Sequence, residues 1–108
     1  MAAPGKWTLG EATTRIRACA VRDDFTPHWK VHAMDRLLER DLFVADALHV
    51  LKFGFVLDEP VPSDVDGYFK YSVEAKTPNS DGRVVRLIVV PDGACEMKII
   101  TIMWKDEQ

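Results

Sequence analysis

Apolar residues return every three or four positions along the first half of the chain and every second position along the rest. Leu9, Ala12, Ile16, Ala20 and Val21 share one helical face, with Thr8 available as an N-cap and Glu11 three residues on, the pairing of a capping box. A first helix is predicted over residues 9–21. After Asp23, Asp24 and Phe25, the pair Thr26-Pro27 supplies a cap followed by proline at the first helical position, so a second helix is predicted to start near Pro27. Its apolar stripe is Val31, Met34, Leu37 and Leu38. A third pattern, Val44, Ala47, Leu48 and Leu51, ends at Gly54, which suits a left-handed C-cap.

Beyond Gly54 the period falls to two. Residues 55–58 read as a short strand closed by Glu59-Pro60-Val61-Pro62, and residues 68–76, 83–90 and 95–104 read as three long strands joined by Pro78-Asn79-Ser80-Asp81-Gly82 and Pro91-Asp92-Gly93 turns. Helices first and strands afterwards make an α+β fold, two to three N-terminal helices on one face of a three- to four-stranded antiparallel sheet. The sheet's other face is then left to solvent or a ligand. A single domain over residues 1–108 is expected, with residues 1–25 a helical extension and residues 26–105 the core.

With 47% hydrophobic and 29% charged residues, the whole chain is expected to fold. No apolar run approaches the ~20 residues a bilayer crossing needs, and residues 1–10 lack the basic start and apolar stretch of a secretion signal. A cytoplasmic protein is expected, with no membrane partner. Cys19 and Cys95 are accordingly read as small buried hydrophobes, since reducing compartments rarely keep disulfides. The net charge of −3 is uneven: residues 1–40 carry seven Lys/Arg against five Asp/Glu, residues 41–66 one against six, and residues 67–108 six against six. A nucleic-acid partner usually leaves a basic excess, and none is present.

Alternation puts Phe69, Tyr71, Val73 and Ala75 on one face of their strand and Lys70, Ser72, Glu74 and Lys76 on the other. Arg86 is the one charge in an apolar run, either a structural ion pair with a carboxylate such as Glu74 or an anion clamp. Lysine, glutamate and arginine on adjacent strands also match the parts for cleaving a phosphodiester without metal. His28 and His32 stand four apart, but Lys30 lies between them and no third ligand is in sight, so no metal is expected; His32 is expected to face the sheet edge or a cleft as an acid or base. His49 is read as partly buried. Phe69 and Tyr71 read as core, whereas Tyr68 and Trp104 are open to a stacking role.

His32, the Met34-Asp35-Arg36-Leu37-Leu38-Glu39-Arg40-Asp41-Leu42 segment, the Ala47-Leu48-His49-Val50-Leu51-Lys52-Phe53-Gly54 run, Tyr71, Arg86-Leu87-Ile88-Val89-Val90 and Ile100-Thr101-Ile102-Met103-Trp104 together resemble the bacterial family known as domain of unknown function 4258. That family is similar in element order to the RelE-like and barnase-like ribonucleases and resembles motility-quorum-sensing-regulator type toxins, metal-independent messenger-RNA interferases. The resemblance implies a toxin-like endoribonuclease of a toxin–antitoxin pair. Its catalytic residues would be His32, Lys70 and Arg86, its substrate-binding residues Tyr71, Trp104 and Lys105, and its partners RNA, a cognate antitoxin protein and a second copy of the chain, with no cofactor. The alternative is a non-catalytic protein-binding module of the same fold.

Overall fold

A computed structural model describes residues 3–107. Three helices, α1 (Leu9–Ala20), α2 (Val31–Glu39) and α3 (Val44–Phe53), are joined to six strands: β1 (His28–Trp29), β2 (Phe55–Val56), β3 (Val61–Pro62), β4 (Phe69–Lys76), β5 (Val84–Pro91) and β6 (Met97–Trp104). The order across the sheet is β1-β6-β5-β4-β2, with β3 pairing β4 beside β2. The fold is therefore α+β, as expected. The sheet is six-stranded and mixed rather than three- to four-stranded and antiparallel, because β1 runs parallel to β6.

Thr8 caps α1 as its sequence predicts, its hydroxyl accepting from the Glu11 amide at 3.1 Å. Ala12, Ile16 and Ala20 bury the inner face of that helix in the same core as Leu37, Val50 and Leu51, against Tyr71, Val73, Leu87, Val89, Ile99 and Ile102 of the sheet. The Trp7 ring joins this core and stacks on Tyr71 with centroids 5.6 Å apart. The segment before residue 26 is thus built into the core.

The second helix begins later than its local signals suggest. Thr26-Pro27 is not its cap: His28 and Trp29 pair with Lys98 and Ile99, and the Lys30 amide donates to the Ile99 carbonyl at 3.0 Å before α2 starts. A cap preference of ~1 kcal/mol yields here to long-range pairing. The predicted stripe is also displaced. Ala33 and Leu37 face the core, while Val31, Met34 and Leu38 are 78%, 38% and 69% exposed.

The start of α3 has no side-chain cap at Phe43, but Asp46 reaches back to accept from the Phe43 amide at 2.8 Å. Asp46 also accepts from the Thr77 hydroxyl at 2.6 Å and from Asn79 at 3.2 Å, tying α3 to the β4–β5 turn. Burial alone would raise its carboxyl, but these three hydrogen bonds outweigh it and hold the group below its ordinary value. Gly54 ends the helix in an extended conformation (φ −81°, ψ 175°), not the left-handed one expected. Glycine is needed there for another reason: a Cβ would stand 2.4 Å from the Val50 carbonyl and 2.8 Å from Val73 Cγ1. Arg17 takes up the free carbonyls at this end, donating to Gly54 and Phe53 at 2.9 Å each.

The cysteines are half-buried and bonded to each other. The Cys19–Cys95 disulfide joins the last turn of α1 to the β5–β6 turn across 76 residues of sequence, so the reading as free apolar side chains is corrected. Nothing local could have paired them, because the contact is made only once α1 lies on the sheet.

At the C-terminal end, Arg40 donates to Glu107 at 2.7 Å through Nε and also through its terminal nitrogen, and the Trp104 amide donates to the same carboxylate at 2.6 Å. The Arg40 guanidinium, against some desolvation, holds the Glu107 carboxyl down at about 2. A carboxyl with a depressed folded-state pKa contributes stability that is present above its unfolded value and lost as pH falls towards 2. Wild type should therefore lose about 1–2 kcal/mol more than Glu107→Gln between neutral pH and acid, less than the full shift would give because water reaches the pair. Parallel urea titrations at the two pH values check this; equal losses in both proteins would remove the pair from the ledger of stability.

Candidate anion-binding cleft

The central strands turn one face to the helices and the other outward. Tyr71, Val73, Val85, Leu87, Val89, Ile99 and Ile102 are buried under the helices. On the outer face, register places Glu74 beside Arg86, Arg86 beside Met103, and Ser72 beside Ile88. The sheet-centre arginine is paired as expected. Its guanidinium donates to Glu74 Oε2 at 2.9 and 3.2 Å, and Asp58 lies 3.6 Å away. Lys105 Nζ stands 2.7 Å from Glu74 Oε1, as an ion pair rather than an aligned hydrogen bond. One end of the outer face is therefore an internally compensated charge cluster around a Glu74 side chain only 3% exposed.

The other end is different. His28 of β1 pairs with Lys98 of β6, and Lys98 with Val90 of β5; one step beyond the Tyr71–Val89 pair, Lys70 of β4 stands across from Val90. Paired residues share a face, so the row His28, Lys98, Val90, Lys70 crosses the sheet with two lysines flanking an apolar residue, their backbones about 10 Å apart. The row forms part of a cleft of about 490 Å³ whose walls include Lys30, Tyr68 and Ile100. Ser63, Asp64 and Val65 close one side. That wall is held in shape by the Ser63 amide donating to the Tyr68 carbonyl at 2.9 Å and the Tyr68 amide to the Val65 carbonyl at 3.1 Å.

Formal charges along the cleft balance, three lysines against Asp64, Asp92 and Glu96, but their engagements do not. The Asp92 carboxylate accepts from the Ala94 and Glu96 amides at 2.8 and 3.0 Å, and Glu96 is hydrogen-bonded to His28 Nε2. Among the described residues, Lys30, Lys70 and Lys98 have no carboxylate within ion-pair distance, and Asp64 is the one cleft acid without a partner. Three ammonium groups without an ion-pair partner around a concave, partly apolar surface supply chemistry that can receive an anion larger than a single carboxylate, with Asp64 as the unpartnered acid beside them.

The residues expected to act together are dispersed. Lys70 lies in the cleft. Arg86 and Lys105 are bound to Glu74, four residues along β4 from Lys70, hence roughly 13 Å away along the strand. Tyr71 is on the opposite face, 1% exposed, and accepts a hydrogen bond from the Trp7 amide at 2.8 Å; burial pushes its hydroxyl pKa up, against that bond. Trp104 packs against the core under the Arg83 guanidinium, 4.0 Å from its ring centroid. His32 is exposed on α2 and does not line the cleft. His28, which stands on β1 and not on a helix with it, does.

Sequence reasoning missed Lys30, Lys98 and the His28–Glu96 pair as site components, whereas Tyr68, left open to a stacking role, does line the cleft. The available signal was the alternation that sets Lys98 opposite buried Met97 and Ile99. What was not available is β1, whose two residues are too few to show a period.

Among the described residues no helix is long and apolar enough to cross a membrane. No curated protein and no solved structure matches the chain. Residues 29–104, from the second residue of β1 to the end of β6, match the family described as domain of unknown function (DUF4258). That span is well over half of the chain, and the protein belongs to this family.

Proposed function

We propose that the protein binds the phosphodiester backbone of single-stranded RNA in the cleft and cleaves it without a metal ion, as the toxin-like ribonucleases that its sequence resembles do. One observation carries the reading: Lys30, Lys70 and Lys98 line one concave surface, and among the described residues none of them has a carboxylate within ion-pair distance, although Asp64, Asp92 and Glu96 line the same cleft. The acidity of the chain does not oppose it. Of the six acids in residues 41–66, Asp46 is hydrogen-bonded inside the fold, Asp58 lies by Arg86, Glu59 pairs with Lys6, and only Asp64 reaches the cleft.

The chemistry needs a base for the ribose 2′-OH, positive charge beside the phosphorane and a proton for the departing 5′-oxygen. His28, oriented by Glu96, takes the first proton. Lys70 stabilises the equatorial oxygens, and the Tyr68 hydroxyl donates to the leaving group. The oxygen–phosphorus bond to the 5′ side breaks as the 2′-oxygen bonds to phosphorus, leaving a 2′,3′-cyclic phosphate and a 5′-hydroxyl. Arg86 and Lys105 have no part in this, since Glu74 holds both.

Purified protein should then cut single-stranded RNA in the presence of a chelator and leave DNA intact. Lys70→Ala should lose about 10²–10³ in rate, the cost of removing one positioned charge-stabilising donor, with its circular dichroism unchanged. An intact RNA ladder after long incubation with folded protein would overturn the reading. It would favour the non-catalytic binding module, whose supporting observation is the exposed Val31, Met34 and Leu38 face of α2.

A further inference from the structure

The turn between β5 and β6 separates two cavities. On one side lies the cleft, which Asp92, Glu96 and Met97 help to line; on the other a cavity of about 160 Å³ opens on the disulfide between Trp7, Arg15, Gly93, Cys19 and Cys95. Both cysteines are only half-buried. Within the turn, the Asp92 amide donates to the Glu96 carbonyl at 2.9 Å, and the Asp92 carboxylate accepts from the amides of Ala94 and Glu96. Cys95 itself has φ +65°, in the left-handed region that a non-glycine residue leaves when nothing holds it there. Its neighbour Glu96 is the residue that fixes His28.

We propose that the Cys19–Cys95 disulfide is a thiol-exchangeable latch on the cleft: closed, it clamps the turn to α1 and keeps Glu96 on His28; open, it releases Cys95 and lets that wall of the cleft move. The thiolate of a low-molecular-weight thiol attacks one sulfur, and the S–S electron pair leaves with the other cysteine. A second thiol molecule resolves the mixed disulfide. Two thiols are oxidised to one small disulfide, the protein bond is reduced to two thiols, and the protons lost by the reagent end on the cysteines. Arg15 lines the same cavity, ion-paired with Glu11 at 3.2 Å and lying over the Trp7 ring, and glutathione is the low-molecular-weight thiol used as the probe. In a reducing compartment the latch would stand open and in an oxidising one closed.

That the latch regulates RNA binding rests on the function proposed above; its effect on the turn does not. Full-length protein, oxidised or treated with reduced glutathione and alkylated, should give the same far-ultraviolet circular dichroism. Amide hydrogen exchange at Ala94 and Glu96 should be at least ~10-fold faster in the reduced form, with β4 and β5 unchanged. Affinity for a labelled single-stranded RNA should fall about 5- to 10-fold, because the mobile wall must be ordered on binding. Cys19→Ser combined with Cys95→Ser should match the reduced form and ignore thiol. Unchanged exchange in the turn, resistance of the bond to glutathione, or global unfolding on reduction would each overturn the latch. Absence of RNA binding in both forms, with the exchange difference present, would overturn the RNA reading and leave the latch standing.

Discussion

Removing the Cys19–Cys95 bond is expected to lower the melting temperature by roughly 10–25 °C, from a stability loss of about 2–4 kcal/mol at about 4–8 °C per kcal/mol for a domain near this size. The estimate comes from the loop the bond closes. A separation of 76 residues is long, and the chain-entropy argument gives about 4.5 kcal/mol for it at 25 °C, with measured bonds generally returning somewhat less. Against a total stability of ~5–15 kcal/mol, the reduced protein remains folded at room temperature, which the latch requires. Calorimetry of the oxidised and the reduced, alkylated protein at neutral pH reads the difference. A melting temperature that does not move although both thiols titrate as free would mean that the packing of α1 alone already restricts the chain.

Arg86→Ala should cost about 2–3 kcal/mol, and Lys105→Ala less than ~1 kcal/mol, although both side chains contact the same carboxylate. Glu74 is the buried member, 3% exposed; Arg86 is 26% and Lys105 46% exposed. Removing Arg86 takes away two hydrogen bonds and leaves an almost fully desolvated carboxylate with one flexible ammonium. Breaking a buried pair typically costs ~3–5 kcal/mol, and the Lys105 that remains reduces this. Removing Lys105 leaves the arginine fork in place, and a half-exposed lysine contributes only what surface pairs do. Urea titration of the two variants gives the ordering directly. Equal and small losses would show that water already reaches Glu74, and Arg86 would then be free to meet an anion.

The three long strands were legible because each is an eight-residue run rich in β-branched and aromatic residues bounded by turn signals, although only β4 alternates clearly while β5 is apolar on both faces and β6 is broken by a bulge. Helix α1 was legible because Thr8 and Glu11 act within one turn. The boundary of α2 was not. Thr26-Pro27 is a sound local signal, and what overrides it is pairing with Lys98 and Ile99, some 70 residues away. The same distance hid the disulfide and joined His28 to Glu96. Of the nominated site, Lys70 lies in the cleft because alternation alone placed it on the outer face. Tyr71 could be read as core from alternation, and its nomination as a binding residue came from resemblance. The row His28, Lys98, Val90, Lys70 required the registers of three strand pairs, which no local pattern encodes.

Strand β6 holds one residue more than its partner needs: Thr101 pairs with Ile88 and Ile99 with Val89, so Ile100 is a bulge between them. Because the extra residue is absorbed locally, Lys98 and Thr101 keep the outer face while Ile99 and Ile102 keep the core. Strand length can therefore change by one at this point without inverting anything on either side, which is forbidden elsewhere in the central strands, where a single-residue shift exchanges core and surface. Ile100 meanwhile lines the cleft. The site's shape thus has a degree of freedom that folding does not constrain, and insertion or loss at this one position is a route by which descendants of the same scaffold can widen or narrow the cleft without rebuilding the sheet.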